Sequence, residues 1–351
     1  MNLSQERYKL YYYNVLHEIG DITLKTPLTV HIDPSNKCNF LCKYCPTGHP
    51  DLLNRVCRPC GFMKFSLFKK TIDDLKLFSE PIQRLHLYND GEPLLNPDFF
   101  RMVKYAKDSD VAQSVETTTN AHLLSEDMSE ELIKAGLNRI RISVKHVTTE
   151  GYFRTVGKNV EIENIIKNVR SLYNKAKELT CRLFINITIV DTGLSEEEKA
   201  RFFSLFEDLS DGIRIDTMEG WSRNDLFDFS FGTSHLSGTS PSTTAKQGTV
   251  CPLPFNSFSV KFDGTVSACF VDWSHCNIIG DVRSENLIDI WNGERLHTFR
   301  ISQLENRKYA SVACATCDYV NGLQRMINLD AAREHLKDIN NYNQTNIGGS
   351  I

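Results

Sequence analysis

Three cysteines fall within eight residues, Cys38-Asn-Phe-Leu-Cys42-Lys-Tyr-Cys45, and no other feature of the chain restricts its chemistry as much. Thiolates are soft ligands that select zinc, copper or iron–sulfur centres. A structural zinc site closes its tetrahedron with four protein ligands, and this triad is one short. Four-iron clusters are usually held by four cysteines too, so a three-cysteine loop leaves one iron open to a cofactor or substrate. The competing reading is a zinc knuckle completed by His49 or by Cys57 and Cys60.

Composition places the chain among intracellular catalysts. Eleven cysteines among 351 residues are too many for idle core positions, yet their number is odd. The stretch from Met1 to Gly20 carries Glu6, Arg7 and Lys9 and has no apolar signal core. A disulfide framework is therefore not expected, and the reading is a reducing cytoplasm. No apolar run approaches the roughly 20 residues that span a bilayer; the longest, near Leu183 to Val190, is interrupted by Asn186 and Thr188. A net charge of −4 with scattered Lys and Arg offers no basic stripe for a phosphate backbone, which argues against nucleic acid.

Between residues 28 and 218, short β-type runs alternate with helical segments, the pattern of repeated βα units. The strand candidates are Leu28 to Asp33, Arg84 to Asn89, Ser114 to Thr119, Arg139 to Lys145, Cys181 to Val190 and Gly212 to Thr217. Pro97 is expected at the first helical position after Asn96, Gly136 ends the segment from Ser125, and Ser195 with Glu198 forms a capping box. Residues 1–27 read as an amino-terminal extension, 219–250 as a Gly/Ser/Thr-rich linker and 251–320 as a cysteine-bearing module, with a polar tail over 321–351. Within the module, alternation from Ser257 to Cys269 around Asp263-Gly264 signals a hairpin, and a helix is expected from Glu285 to Gln303.

The module supplies a second thiol set: Cys251, Cys269 after Gly264, and Cys314-Ala-Thr-Cys317. Four cysteines can fill a four-iron cluster or close a zinc ribbon. Cys57-Arg-Pro-Cys60 is either a redox or metal pair or an ordinary loop. Cys181 reads as a small hydrophobe on a buried strand. Cys276 is a spare ligand, a hydrogen-atom donor or a packing residue.

With Tyr44 just before its last cysteine, the triad resembles the cluster loop of the radical S-adenosylmethionine (SAM) enzymes. Tyr88-Asn-Asp90-Gly91-Glu92-Pro93 resembles that family's Gly-Gly-Glu-Pro strand end, with Asp90 in place of the first glycine. The later set resembles the twitch module, the shortened SPASM domain. The implied fold is α/β, a partial (β/α)6 TIM-like barrel with a C-terminal Cys-rich twitch/SPASM domain of hairpin plus helix. The implied cofactors are SAM and two 4Fe–4S clusters, one held by Cys38, Cys42 and Cys45, the auxiliary one by Cys251, Cys269, Cys314 and Cys317. By the same resemblance Tyr44, Asn89, Asp90, Gly91, Glu92, Asn120 and Ser143 contact SAM.

As the family works, one electron cleaves SAM to a 5′-deoxyadenosyl radical that removes a hydrogen atom from the substrate. A flavodoxin or ferredoxin-type reductant supplies that electron. A fully ligated auxiliary cluster favours net oxidation, as in the twitch-containing aminocyclitol dehydrogenases, so the expected substrate is a small polyol, with Arg154, His146 or Lys145 as base. The runner-up is peptide modification, for which the 27 residues before Leu28 are expected to be too few for a leader-binding module. A third reading is a redox-neutral epimerase using Cys276.

Overall fold

Alternation of apolar and polar side chains builds six parallel strands: β1 (Thr29–Ile32), β2 (Ile82–His86), β3 (Ala112–Thr119), β4 (Arg139–Val144), β5 (Phe184–Val190) and β6 (Gly212–Asp216). The computed structural model describes residues 24–180, 182–218, 220–223, 225–231 and 250–317, with Tyr319, Leu329, Asp330 and Arg333. One face carries Val30, Leu85, Val115, Ile140, Ile142, Ile185 and Ile187, each at most 1% exposed. Against it pack the helices Phe65–Leu75, Phe99–Asp108, Glu126–Lys134, Ile162–Glu178 and Glu196–Phe206, the crossovers that parallel pairing requires. Each branched side chain so buried contributes about 1.5–3 kcal/mol. The result is an α/β fold whose parallel strands form a partial barrel.

The sheet does not stop at β1. β7 (Ser257–Val260) pairs parallel with β1, and β8 (Thr265–Ser267) and β9 (Ile278–Asp281) follow antiparallel. The full order is β6-β5-β4-β3-β2-β1-β7-β8-β9. The hairpin expected around Asp263-Gly264 joins β7 to β8, and Gly264 has φ +94°, a conformation that favours glycine. β1 is thus held on both edges, and its continuation is tied in by the Asp33 amide donating to Val260 O (2.9 Å).

Several expected boundaries moved for identifiable reasons. The helix after Pro97 begins at Phe99, because Asn96 Oδ1 accepts from the Asp98 amide (2.9 Å) and forms a turn first. The helix expected from Glu285 to Gln303 is two, Leu287–Asn292 and Glu294–Leu304, broken where Gly293 takes ψ 160°. The capping box at Ser195 and Glu198 is present. Gly136, at φ +83°, follows the helix Glu126–Lys134, which Ser125 caps by accepting from Met128. Cys181 lies outside the described residues, as do residues 232–249 of the expected linker, most of the expected tail and all of the expected extension up to residue 23. No helix among the described residues is long and apolar enough to cross a membrane.

Asn96, 2% exposed, also donates to Pro34 O (2.8 Å) and Met63 O (3.0 Å), fastening the turn that follows β2 to the segment that follows β1. Asn96→Ala would leave the Met63 carbonyl without this donor, while Pro34 O keeps the Met63 amide (2.9 Å). The substitution should lower the unfolding free energy by about 1–3 kcal/mol, read as a fall in the urea midpoint at unchanged m-value.

Candidate active site

The triad sits on the loop that leaves β1 at the carboxyl end of the sheet. Burial, opposed by the Phe40 amide donating to Cys38 Sγ (3.4 Å), pushes the Cys38 thiol up to about 12. Burial likewise pushes Cys42 up to about 11 and raises Cys45, while the charge of Lys145 favours the ionised form of both. Thiolates so buried need a cationic partner, which cluster iron supplies. The groups considered as a fourth zinc ligand point elsewhere: His49 Nε2 donates to Lys43 O (2.8 Å), and Cys57 and Cys60 are exposed and free. Among the described residues no three His, Cys, Asp or Glu side chains converge as ligands of a single metal ion. Thiols set around a four-iron cluster stand further apart than ligands of one ion.

Gly91 allows a close approach, but to the protein's own backbone. A Cβ there would lie 2.3 Å from Ser35 O and 2.4 Å from Lys37 O, in the turn that enters the cluster loop. The Glu92 amide donates to Lys37 O (2.9 Å). Glu92, buried and therefore raised, accepts from Thr119 Oγ1 (2.7 Å) and the Leu94 amide (3.2 Å) at Oε1 and from the Asn120 amide (2.9 Å) at Oε2. Asn120 Nδ2 in turn donates to Asn39 Oδ1 (2.8 Å) on the loop. Glu92 and Asn120 thus brace the loop against the ends of β2 and β3.

Asp90, the departure from the family pattern, has a partner that sequence reading missed. Its Oδ2 accepts from Lys261 Nζ (3.1 Å), which follows β7 and is 0% exposed, and lies 3.1 Å from His275 Nε2. Burial disfavours the Asp90 charge, but Lys261 and His275 outweigh it and hold the carboxyl well below its usual value. Asp33 shows the opposite: burial and the neighbouring Asp90 charge push it up to about 7. Asn89 Nδ2 donates to Asp90 Oδ1 (3.1 Å) and to Phe270 O (3.1 Å). The Gly-Glu-Pro turn is therefore bolted to the cysteine-bearing segment.

At the end of β4, Lys145 Nζ donates to Ser143 Oγ (2.6 Å) and lies 6.0 Å from the Tyr44 ring, facing the triad. His146 and Arg154 turn away. Arg154 Nη2 donates to His146 Nε2 (3.1 Å), Glu198 Oε1 lies 3.4 Å from the same nitrogen, and burial lowers the His146 pKa. Of the three base candidates, only Lys145 points to the cluster loop. The first part of the expected linker also reaches the site: Trp221 Nε1 donates to Tyr44 O (3.0 Å), and Trp273 Nε1 donates to Ser222 O (2.7 Å). Four aromatics, Trp221, Phe227, Phe229 and Phe231, were the signal against a free linker.

Cys251, Cys269, Cys314 and Cys317 line one cavity with about 500 Å³ of atom-free space, part of it open to solvent. Burial raises Cys251, Cys269 and Cys314 above ordinary thiol values. Four half-buried thiols on one cavity suit a fully ligated cluster. Phe270, next to Cys269, stacks on His31 of β1 (centroids 4.3 Å apart, planes 18° apart). Cys276 instead is exposed beside a surface groove lined by residues between 276 and 312, with its Sγ 3.2 Å from Ser274 Oγ.

Residues 32–205 match the family model of the radical SAM superfamily, and residues 251–318 match that of the SPASM iron–sulfur cluster-binding domain. The chain belongs to the radical SAM superfamily and carries a SPASM domain, which makes SAM and iron–sulfur clusters its cofactors. It is similar to a GTP 3′,8-cyclase of Sulfurimonas denitrificans, 31% identical over 45% of this chain and 46% of that one. The chain thus spans about half the length of that relative. A tungsten-containing aldehyde ferredoxin oxidoreductase cofactor-modifying protein of Pyrococcus furiosus is 22% identical over 82% of this chain and 86% of its own. Among solved structures, Streptococcus suis SuiB bound to S-adenosylmethionine shares the fold with TM-score 0.61 at 15% identity, covering 87% of this chain and 74% of that one. BtrN in complex with AdoMet and 2-DOIA does so with TM-score 0.51 at 18% identity, covering 83% and 92%.

Asp90→Gly would restore the family glycine yet strand Lys261. It should cost about 3–5 kcal/mol of stability, most of it recovered by adding Lys261→Met, as measured by anaerobic chemical unfolding. Asp33 gives a pH signature. Its proton stays on the folded chain but leaves the unfolded one between about pH 4 and 7, so its contribution to stability falls as pH rises through that window. Asp33→Asn should therefore stabilise more at pH 8 than at pH 5.

Proposed function

We propose that this radical SAM enzyme oxidises a small polyol, with residues 28–218 supplying the radical site and residues 251–320 the electron acceptor. When bound, SAM on the triad's cluster supplies a 5′-deoxyadenosyl radical able to take a hydrogen atom from carbon. The rest falls to the chain. Cys38, Cys42 and Cys45 leave one iron position for SAM, while Glu92 and Asn120 hold the loop that carries them. Tyr44, Ser143 and Lys145 stand around the triad, where SAM would lie. Removing a hydrogen atom from an alcohol carbon leaves a radical that becomes a ketone by losing one proton and one electron.

The observation that carries the oxidative reading is the seating of the second thiol set. Its four cysteines leave no position for substrate, and Phe270, beside Cys269, lies flat on His31 of the barrel's inner face. An electron leaving the barrel interior finds the auxiliary site directly behind that wall. Of the three base candidates Lys145 is the one that faces the triad; as the cation that donates to Ser143 it must first release a proton to solvent before it can take the one that the substrate loses. The first electron comes from a flavodoxin or ferredoxin-type reductant. Cys276, turned to an outer groove, is poorly placed to return a hydrogen atom, which disfavours epimerisation.

Cys42→Ala should abolish deoxyadenosine formation under dithionite and reduce iron from about eight to about four per chain; undiminished cleavage would remove the triad from the mechanism. With substrate, deoxyadenosine should form in equal amount to a product two mass units lighter, with deuterium from one substrate carbon appearing in deoxyadenosine. A product of unchanged mass bearing solvent deuterium, lost in Cys276→Ala, would replace oxidation with epimerisation.

A further inference from the structure

A buried cluster that starts each turnover must receive an electron, and electron transfer slows steeply with distance. The point where the triad comes nearest the surface is therefore where a donor has to sit. Between Cys38 and Cys45 only Leu41 and Lys43 are exposed. Cys42, bonded to both, is 6% exposed and Leu41 39%. A partner that touches Leu41 and Lys43 has a cluster ligand directly beneath it.

The helix Thr149–Val156 widens this outcrop into a patch. The Leu41 amide donates to Val156 O (3.1 Å) and the Lys43 amide to Thr155 O (3.0 Å). Gly157 ends the helix at φ +67°, and a Cβ built there would lie 3.8 Å from Leu41 Cβ. Phe153, whose carbonyl accepts from the Gly157 amide (3.0 Å), stands on the same helix face and is 56% exposed. Leu41 and Phe153 thus form an exposed apolar centre.

Three exposed cations surround it: Lys43, Arg154 and Lys158. Lys158 Nζ donates to Asn39 O (2.6 Å) and Arg154 Nη2 to His146 Nε2 (3.1 Å), contacts that fix both groups without neutralising them. Among the described residues none of the three lies within ion-pair distance of a carboxylate, although Glu150 and Glu161 share this stretch; Glu161 accepts from Thr149 instead (3.0 Å). Burial and the Lys158 charge lower the His122 pKa, so that field reaches the turn after β3. On a chain of net charge −4, this is a cationic rim about an apolar centre over the cluster loop. Such anatomy suits a transient partner of opposite charge, steered by the rim and held by the centre.

We infer that this patch is the docking face of the one-electron donor, and that the donor is an acidic flavoprotein of the flavodoxin type. The inference rests on the reading above that a carrier protein supplies the first electron, and it names the face and the partner. The dimethylbenzene edge of a flavin is flat and apolar, which suits Leu41 and Phe153, while carboxylates around that edge suit Lys43, Arg154 and Lys158. The donor's flavin hydroquinone anion gives up one electron and the cluster on the triad takes it, with no atom or proton exchanged.

The test uses the anaerobic holoenzyme with both clusters loaded, a purified flavodoxin of net negative charge as probe, and dithionite as a donor that needs no docking. Calorimetric binding of the oxidised flavodoxin should weaken about tenfold between about 50 and 300 mM salt. Lys43→Glu should raise its Kd about tenfold, and so should Phe153→Asp, which lies on the helix and clear of the cluster loop. Cluster reduction by flavodoxin, followed by stopped flow, should slow in step, while iron content and dithionite-driven deoxyadenosine formation hold. Lys104→Glu, the same charge change on the helix Phe99–Asp108, should leave binding unchanged. Binding that ignores both patch substitutions, or that Lys104→Glu weakens equally, overturns the assignment of the face. Binding of a ferredoxin at the patch with none of flavodoxin overturns the assignment of the partner. A holoenzyme that cleaves SAM with dithionite yet takes electrons from neither protein rejects the carrier reading itself.

Discussion

The parallel pairing of β7 with β1 governs the rest of the molecule. A cluster loop needs a rigid stem, and β1 becomes one because it is hydrogen-bonded on both sides, to β2 and to β7. The same pairing carries the auxiliary thiols to the barrel mouth. The buried ion pair of Lys261 with Asp90 then locks the Gly-Glu-Pro turn to the strand that follows. Such a pair is weak evidence of net stability, since desolvation offsets much of its attraction. Its effect here is positional: with Lys261 committed, Asp90 can take only one orientation, and the two cysteine sets share one frame.

Within that frame each site follows from burial. Six of the seven thiols are placed where an uncompensated thiolate would be unfavourable, so each set is suited to iron and poorly suited to free cysteine chemistry. Glu92, Thr119, Asn120 and Asn39 form a brace from the strand ends to the cluster loop. On the inner face of the sheet His31 stacks on Phe270, which adjoins Cys269.

Much of this was legible in the chain. All six barrel strands fall where the short β-type runs between helical segments placed them, within a few residues, and their branched residues such as Ile140, Ile142 and Ile187 are buried. The cysteine sets were legible because metal ligation imposes spacing. Long-range pairing was not. Lys261 reads as a polar residue beside a hairpin turn, and only the β1–β7 register brings it to Asp90, 171 positions away. Nor does the sequence show that the space beside Gly91 is filled by the backbone at Ser35 and Lys37. His146 and Arg154 were attractive as bases from their place after β4, but Glu198 and the helix it begins draw them outward. Trp221 and Phe229, hidden in a Gly/Ser/Thr-rich stretch, cover the cluster loop.

The account turns on an electron leaving the barrel interior for the Cys251, Cys269, Cys314 and Cys317 site. A single-turnover experiment tests this directly: enzyme with only the SAM-site cluster pre-reduced is mixed with SAM and substrate, freeze-quenched, and examined by EPR and Mössbauer spectroscopy. The account predicts one electron gained at the auxiliary site for each deoxyadenosine formed, with the signal absent when Cys269 is replaced by alanine. An auxiliary site that stays oxidised while product accumulates, or that holds zinc, would contradict it.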